Sequence, residues 1–264
     1  MRILGIITAI ATTICNVAIA QSDTFQSNLD AISATMPTIG QLTFGDAAPC
    51  TAVLYRSDKI VTTFSCFLQS NDNEGFDPTE TTFRFFPTTG GPERSVQVLD
   101  GKSFRTASSF REMAPATAAS FDFAIFKLAR LIPSTLGQPI SLALTVSDRV
   151  EVGLFSAPDA PGGRPTLRLV CKTYPVYGVE IAIECPQEES FTGPFPVFAI
   201  VGGRLELATI VTMPAFSIPE SPIVGARVDR FDFLHRRFRD TSRRIRIDNH
   251  LDVERDIGAR FIRP

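Results

Sequence analysis

Histidine is nearly absent from this chain, with His235 and His250 the only two, and tryptophan is missing altogether. Only 3 tyrosines accompany 22 phenylalanines, so phenylalanine must supply most of the large core volume, and aromatic side chains of that kind favour strands. No Cys-x-x-Cys pair occurs, which argues against a four-cysteine zinc site, and neither a metal nor another cofactor is expected. Beyond residue 20 no segment approaches the roughly 20 continuous apolar residues that span a bilayer. Charge is balanced at a net -2, which gives no general attraction to nucleic acid or an anionic membrane. A repeat of solenoid type is also missing.

Residues 1–20 read as a secretory signal, with Arg2 at the start, a mostly apolar run from Ile3 to Ile14, and Ala18-Ile19-Ala20 as the cleavage site. The mature chain would begin at Gln21 and be secreted or periplasmic. Cys15 suggests a lipoprotein, but Ile14 stands where a small residue is expected. Removal of the signal leaves Cys50, Cys66, Cys171 and Cys185, an even set that points to two disulfides in an exported protein. Three pairings are open from spacing alone. Bridges between near neighbours would close two short loops, each worth about 3 kcal/mol in the chain-entropy model.

At 264 residues and 44% hydrophobic, the chain can bury a full core. From Ile39 to Val228 it alternates short apolar runs with Gly, Pro, Asp and Ser, the pattern of an all-β sandwich or barrel. Strands are expected at Cys50–Tyr55, Lys59–Thr63, Thr82–Phe86, Ser95–Leu99 and Phe121–Leu128, then at Ile140–Leu144, Val150–Ser156, Leu167–Thr173 and Val179–Glu184. The clearest hairpin joins Pro196–Val201 to Leu205–Val211 through Gly202-Gly203, where two glycines accept the positive φ of a tight turn. No strongly amphipathic helix is apparent in this span. Ala129–Gln138, with Pro133, Ser134 and Gly137, reads as a linker. It divides a first unit at 37–128, preceded by an N-terminal segment at 21–36, from a second at 139–234. The tail at 235–264 is Arg-rich near its start, with Arg236, Arg237, Arg239, Arg243, Arg244 and Arg246 close together. Such a tail is physically suited to an anionic surface, although Asp240, Asp248, Asp252 and Glu254 make a solvated mixed-charge face the plainer expectation.

Four stretches, taken in order, resemble the chymotrypsin/trypsin-like serine protease family. Cys50 to Cys66 is similar to the segment that ends in Thr-Ala-Ala-His-Cys; here it ends Thr62-Thr63-Phe64-Ser65-Cys66. Asp122-Phe123-Ala124-Ile125-Phe126-Lys127-Leu128 is similar to Asp-Ile-Ala-Leu-Leu-x-Leu. Cys171 to Cys185, followed by Thr192-Gly193-Pro194-Phe195-Pro196-Val197-Phe198, resembles a decayed Gly-Asp-Ser-Gly-Gly-Pro region. Val224 to Leu234 resembles a closing strand and helix start. The resemblance implies an all-β fold of two six-stranded antiparallel barrels with a cleft between them and a short C-terminal helix. It also implies the pairings Cys50 with Cys66 and Cys171 with Cys185.

The departures from that family bear on function. Ser65 stands where the resemblance places the general base, and without a histidine a serine hydroxyl has no positioned acceptor for its proton. The nucleophile's place falls on Phe191 when Gly193-Pro194 anchors the comparison and on Gly193 when Pro196-Val197-Phe198 does. Neither can attack a carbonyl, and Ser190 or Thr192 would still lack a base. Phe191 and Thr192 also interrupt the turn whose amides form the oxyanion hole, commonly the largest single contribution to such catalysis. Asp122 remains, and a carboxylate at a strand start can be satisfied by backbone or hydroxyl donors, Ser65 among them. Where many relatives carry Ser-Trp-Gly beside the substrate, this chain has Val211-Thr212-Met213, which would narrow the pocket. There is no Ile-Val-Gly-Gly start near Gln21 to serve as a freed activating terminus. The expectation is an exported serine protease homologue without an intact catalytic set, a degenerate member that binds a protein or peptide. The alternative is an active serine endopeptidase with an atypical site. Loops at Gln69–Pro78, Ala157–Pro165 and Pro214–Pro222 are the candidate binding segments, since binding residues concentrate on loops held by a rigid frame.

Overall fold

The computed structural model describes residues 25–30, 32, 36–70, 80–103, 111–112, 118–119, 121–143, 146, 149–158, 163–174, 180–186, 193–213, 223–226 and 228. The signal, the C-terminal helix expected from Leu234 and the Arg-rich tail lie outside these residues. So do most of the three candidate binding loops.

A first sheet closes into a barrel with strand order β1-β2-β3-β6-β5-β4. Its members are β1 (Ile39–Phe44), β2 (Cys50–Arg56), β3 (Lys59–Thr62), β4 (Thr81–Phe85), β5 (Arg94–Ser103) and β6 (Ala124–Leu128). Every pairing in it is antiparallel. Closure removes the free edges that would otherwise invite association. The second sheet runs β13-β10-β9-β8-β11-β12-β7. It comprises β7 (Ser141–Leu142), β8 (Glu151–Ser156), β9 (Thr166–Tyr174), β10 (Glu180–Glu184), β11 (Gly193–Val201), β12 (Arg204–Met213) and β13 (Ile223–Ala226). Six of these strands are antiparallel, and the two-residue β7 adds in parallel to β12 at one edge. The sheet curls until its ends approach: a Cβ on Gly225 of β13 would strike Thr209 Oγ1 and lie 2.8 Å from Val211 Cγ1 of β12. The result is the expected all-β pair of six-stranded barrels, the first closed and the second nearly so.

Alternation along the strands builds three cores. Leu54, Ile60, Phe83 and Phe126 fill the first barrel, and Leu154, Ile183, Val197 and Ala208 fill the second. The opposite faces of the same strands meet between the barrels, where Val53, Tyr55, Val61 and Ile125 pack with Phe155, Phe198, Leu207 and Ile210. Burial on both faces explains why Ala124–Leu128 reads as a near-continuous apolar run instead of a clean alternation. Pro194 and Pro196 sit in β11, a central strand, yet the β8–β11 ladder begins only at Val197. Their missing N–H groups fall where β11 outruns β8, so no β8 bond is lost.

Among the described residues, one helix departs from the strand reading of Ile39–Val228, and another precedes that span. Residues 25–30 form α1, whose Phe25 and Leu29, four apart on one face, are buried in the core between the barrels. Phe64–Ser70 forms α2, where Phe64 and Phe67 stack at 5.9 Å and Phe67 lies 5.8 Å from Phe126. The expected strand at Phe121–Leu128 begins only at Ala124, because the Asp122 amide turns back to the Ala119 carbonyl and the Phe123 amide to Phe121. Of the run Ile140–Leu144, Ser141–Leu142 forms strand β7, and Leu144 lies outside the described residues. The segment after β6 is strapped to the first barrel: Ala129 N–H donates to the Gln97 carbonyl and Ile132 N–H to that of Ser57, before a turn at Pro133–Gly137.

Both cystines are short-range. Cys50–Cys66 ties β2 to α2 and Cys171–Cys185 joins β9 to the residue after β10, with separations of 16 and 14.

Candidate functional site

Asp122 lies just ahead of β6, Ser65 in the first turn of α2 and Thr212 near the end of β12, so three distant segments converge between the barrels. The Ser65 amide donates to Asp122 Oδ1 at 2.6 Å, and the Ser65 hydroxyl donates to Oδ2 at 2.7 Å. Thr212 Oγ1 donates to the same Oδ2 at 2.7 Å and lies 2.7 Å from Ser65 Oγ. One carboxylate oxygen and two hydroxyls thus form a closed triangle. The Phe64 amide adds a further bond to the carboxylate. Asp122 therefore caps α2 from across the sequence by satisfying amides of its first turn, which a helix cannot satisfy internally.

Asp122 is buried, at 7% exposure. Burial pushes its carboxyl above the usual carboxylate range, and the bonds from Ser65, Thr212 and Phe64 only partly offset that effect. All of these donors are neutral. The carboxylate can accept bonds and orient hydroxyls, but in the free state it is a far weaker base than an imidazole.

Ser65 and Asp122, both marked out by the sequence, are brought together here. Gly193 opens β11 with φ 109° and pairs across to Met213, one position from the Pro194–Thr212 pair. It presents a backbone position, not a nucleophile, beside the cluster. Phe191, Ser190, Thr192, His235 and His250 lie outside the described residues. Thr212 is the residue that sequence reasoning missed. The run Val211-Thr212-Met213 reads as the substrate-side strand by resemblance, but nothing local pairs the Thr212 hydroxyl with a carboxylate 90 positions away.

Thr63, directly before α2, is fully buried, and its hydroxyl has no hydrogen-bond partner among the described residues. Burying an unbonded hydroxyl is costly, so the near-isosteric Thr63→Val is expected to raise stability by about 1–2 kcal/mol. Urea unfolding checks this, and a drop in the midpoint would mean that the hydroxyl is bonded in solution.

No family model matches the chain, and no curated protein matches it. Among solved structures, kallikrein-related peptidase 10 in complex with Zn2+ matches at a TM-score of 0.54 and 13% identity. The match covers 79% of this chain and 98% of that one. With its paired β-barrels and the polar cluster at their junction, the chain has the fold of the trypsin-like serine proteases.

Proposed function

We propose that the chain is an exported, catalytically silent homologue of the trypsin-like serine proteases that works by binding a protein or peptide. One observation carries the reading. The residue that the family resemblance sets at the general base's place is Ser65, and both its amide and its hydroxyl are committed to Asp122. A hydroxyl fixed in that way cannot take a proton from a nucleophile as a histidine does. Gly193 at one candidate nucleophile position has no side chain, which supports the same reading. Family members without their triad retain only about 10³ to 10⁴-fold acceleration, against totals for enzymes that commonly exceed about 10⁶. Two disulfides support an oxidising, exported setting.

The test is proteolysis. Oxidised chain starting at Gln21 is incubated with a denatured protein mixture beside Asp122→Asn and Ser65→His, and new termini are read by mass spectrometry. No termini above background are expected in any sample, including Ser65→His, since restoring a base supplies no nucleophile. Cleavage by the native chain that Asp122→Asn abolishes while staying folded would make this an active endopeptidase and overturn the proposal.

A further inference from the structure

The two cystines differ in access. Cys50 and Cys66 are both buried, at 0% and 7% exposure, among the phenylalanines of the first barrel. Cys171 is likewise buried, but Cys185 is only partly so, the one such cysteine of the four. The second cystine also occupies a particular place in the sheet. Strands β9 and β10 pair through Ala182↔Tyr174, Ile183↔Thr173 and Glu184↔Lys172. The next register position sets Cys185 directly opposite Cys171, with a Cα–Cα distance of 4.3 Å. The bond therefore closes the end of this ladder beside the second barrel's core.

What the bond holds can be followed strand by strand. On its other side β10 pairs with β13, through Ile181↔Gly225 and its neighbours. Gly225 of β13 packs so closely on β12 that a methyl group would strike Thr209. Three residues further along β12, Thr212 donates to Asp122. The cystine thus fastens the β10–β13 ribbon, which in turn closes on the strand that reaches the candidate site.

We propose that Cys171–Cys185 is a thiol-addressable clasp on the second barrel, opened selectively by a dithiol reductant while Cys50–Cys66 stays intact. In the first step a reductant thiolate attacks the sulfur of Cys185, the less buried partner. The Cys171–Cys185 bond breaks, and Cys171 leaves as a thiolate that takes a proton from water. The reductant's second thiol, as thiolate, then displaces Cys185 from the mixed disulfide. The dithiol is oxidised to its disulfide and the cystine is reduced to two thiols, a balanced two-electron exchange. Exposure sets the selectivity, because exchange requires direct approach to a sulfur. Opening releases the β10–β13 ribbon from β9 and loosens the face of β12 that leads to Thr212. The clasp is independent of whether the chain cleaves peptides.

The experiment treats the oxidised chain with graded dithiothreitol. Differential alkylation and mass spectrometry locate the free thiols, and amide hydrogen exchange is followed in parallel. Cys171 and Cys185 are expected to be labelled at least about tenfold faster than Cys50 and Cys66. Exchange should rise in Glu180–Glu184 and Ile223–Ala226 while the strands of the first barrel stay protected. The paired variant Cys171→Ser with Cys185→Ser should show the same exchange pattern without reductant. If that variant fails to fold, the time course on the native chain decides alone. Reduction of both cystines together, prior opening of Cys50–Cys66, or unchanged exchange in β13 after selective reduction would overturn the proposal.

Discussion

Replacing Asp122 by alanine is expected to lower folding stability by about 2–4 kcal/mol, whereas Asp122→Asn should leave it at or above the native value near neutral pH. Alanine removes the acceptor for the Ser65 and Phe64 amides and for two hydroxyls, all at a buried junction. The hydroxyls of Ser65 and Thr212 still have each other at 2.7 Å, but the amides are left without a partner. Asparagine can keep its oxygen on the Ser65 amide. Its nitrogen can donate to the two hydroxyls, which are able to accept as well as donate. The triangle of bonds then survives with its direction reversed, and no charge is buried.

The same network fixes a pH dependence. Burial makes the Asp122 carboxyl harder to ionise in the folded chain than in the unfolded one, so the folded state keeps its proton to higher pH. Its contribution to stability is fully present below the ordinary value of 3.8 and is lost as pH rises through the raised value. Unfolding free energy measured from acid to neutral pH should carry this downward component in the native chain and lack it in Asp122→Asn. If asparagine proved as damaging as alanine, the negative charge itself would be essential, and a cationic partner of Asp122 would have to be sought.

Much of this architecture is legible in the sequence because burial on both strand faces leaves dense apolar runs, as at Cys50–Tyr55 and Ala124–Leu128. The paired glycines at 202 and 203 likewise mark a tight turn, and both have positive φ. What escapes is governed by tertiary context. The helix α2 is under two full turns and is far shorter than an isolated helix needs to be stable. α1 exists because Phe25 and Leu29 reach the core between the barrels, and α2 because Asp122 caps it and Phe67 packs on Phe44 and Phe126. Strand β1 is missed for a related reason. Its sequence Ile39-Gly40-Gln41-Leu42-Thr43-Phe44 carries a glycine that weakens a strand on propensity alone. At the site, Ser65 and Asp122 are legible because each stands in a recognisable stretch. Thr212 is not, since its role depends on how the second barrel docks on the first.

The glycine of β1 leads to the second large effect: Gly40→Ala should cost at least about 3 kcal/mol, more than a typical overpacking substitution. Its φ is not in the left-handed region, so the cost is steric and not conformational. A methyl group there would strike the Arg84 carbonyl and lie 2.8 Å from the fully buried ring of Phe83. A backbone carbonyl cannot swing aside like the end of a side chain, because Arg84 is held in register with Gln41 across the β1–β4 seam. That seam is where the first barrel closes. Gly203→Ala makes the comparison, since a Cβ there meets nothing within 4 Å and only the positive φ of 73° is penalised. Its cost should be about 1–2 kcal/mol. Urea unfolding of the two variants separates the cases. A Gly40→Ala loss no larger than that of Gly203→Ala would mean that the β1–β4 seam is looser than described. The barrel would then hold β6, and with it Asp122, less firmly than the hydrogen-bonded triangle at the junction requires.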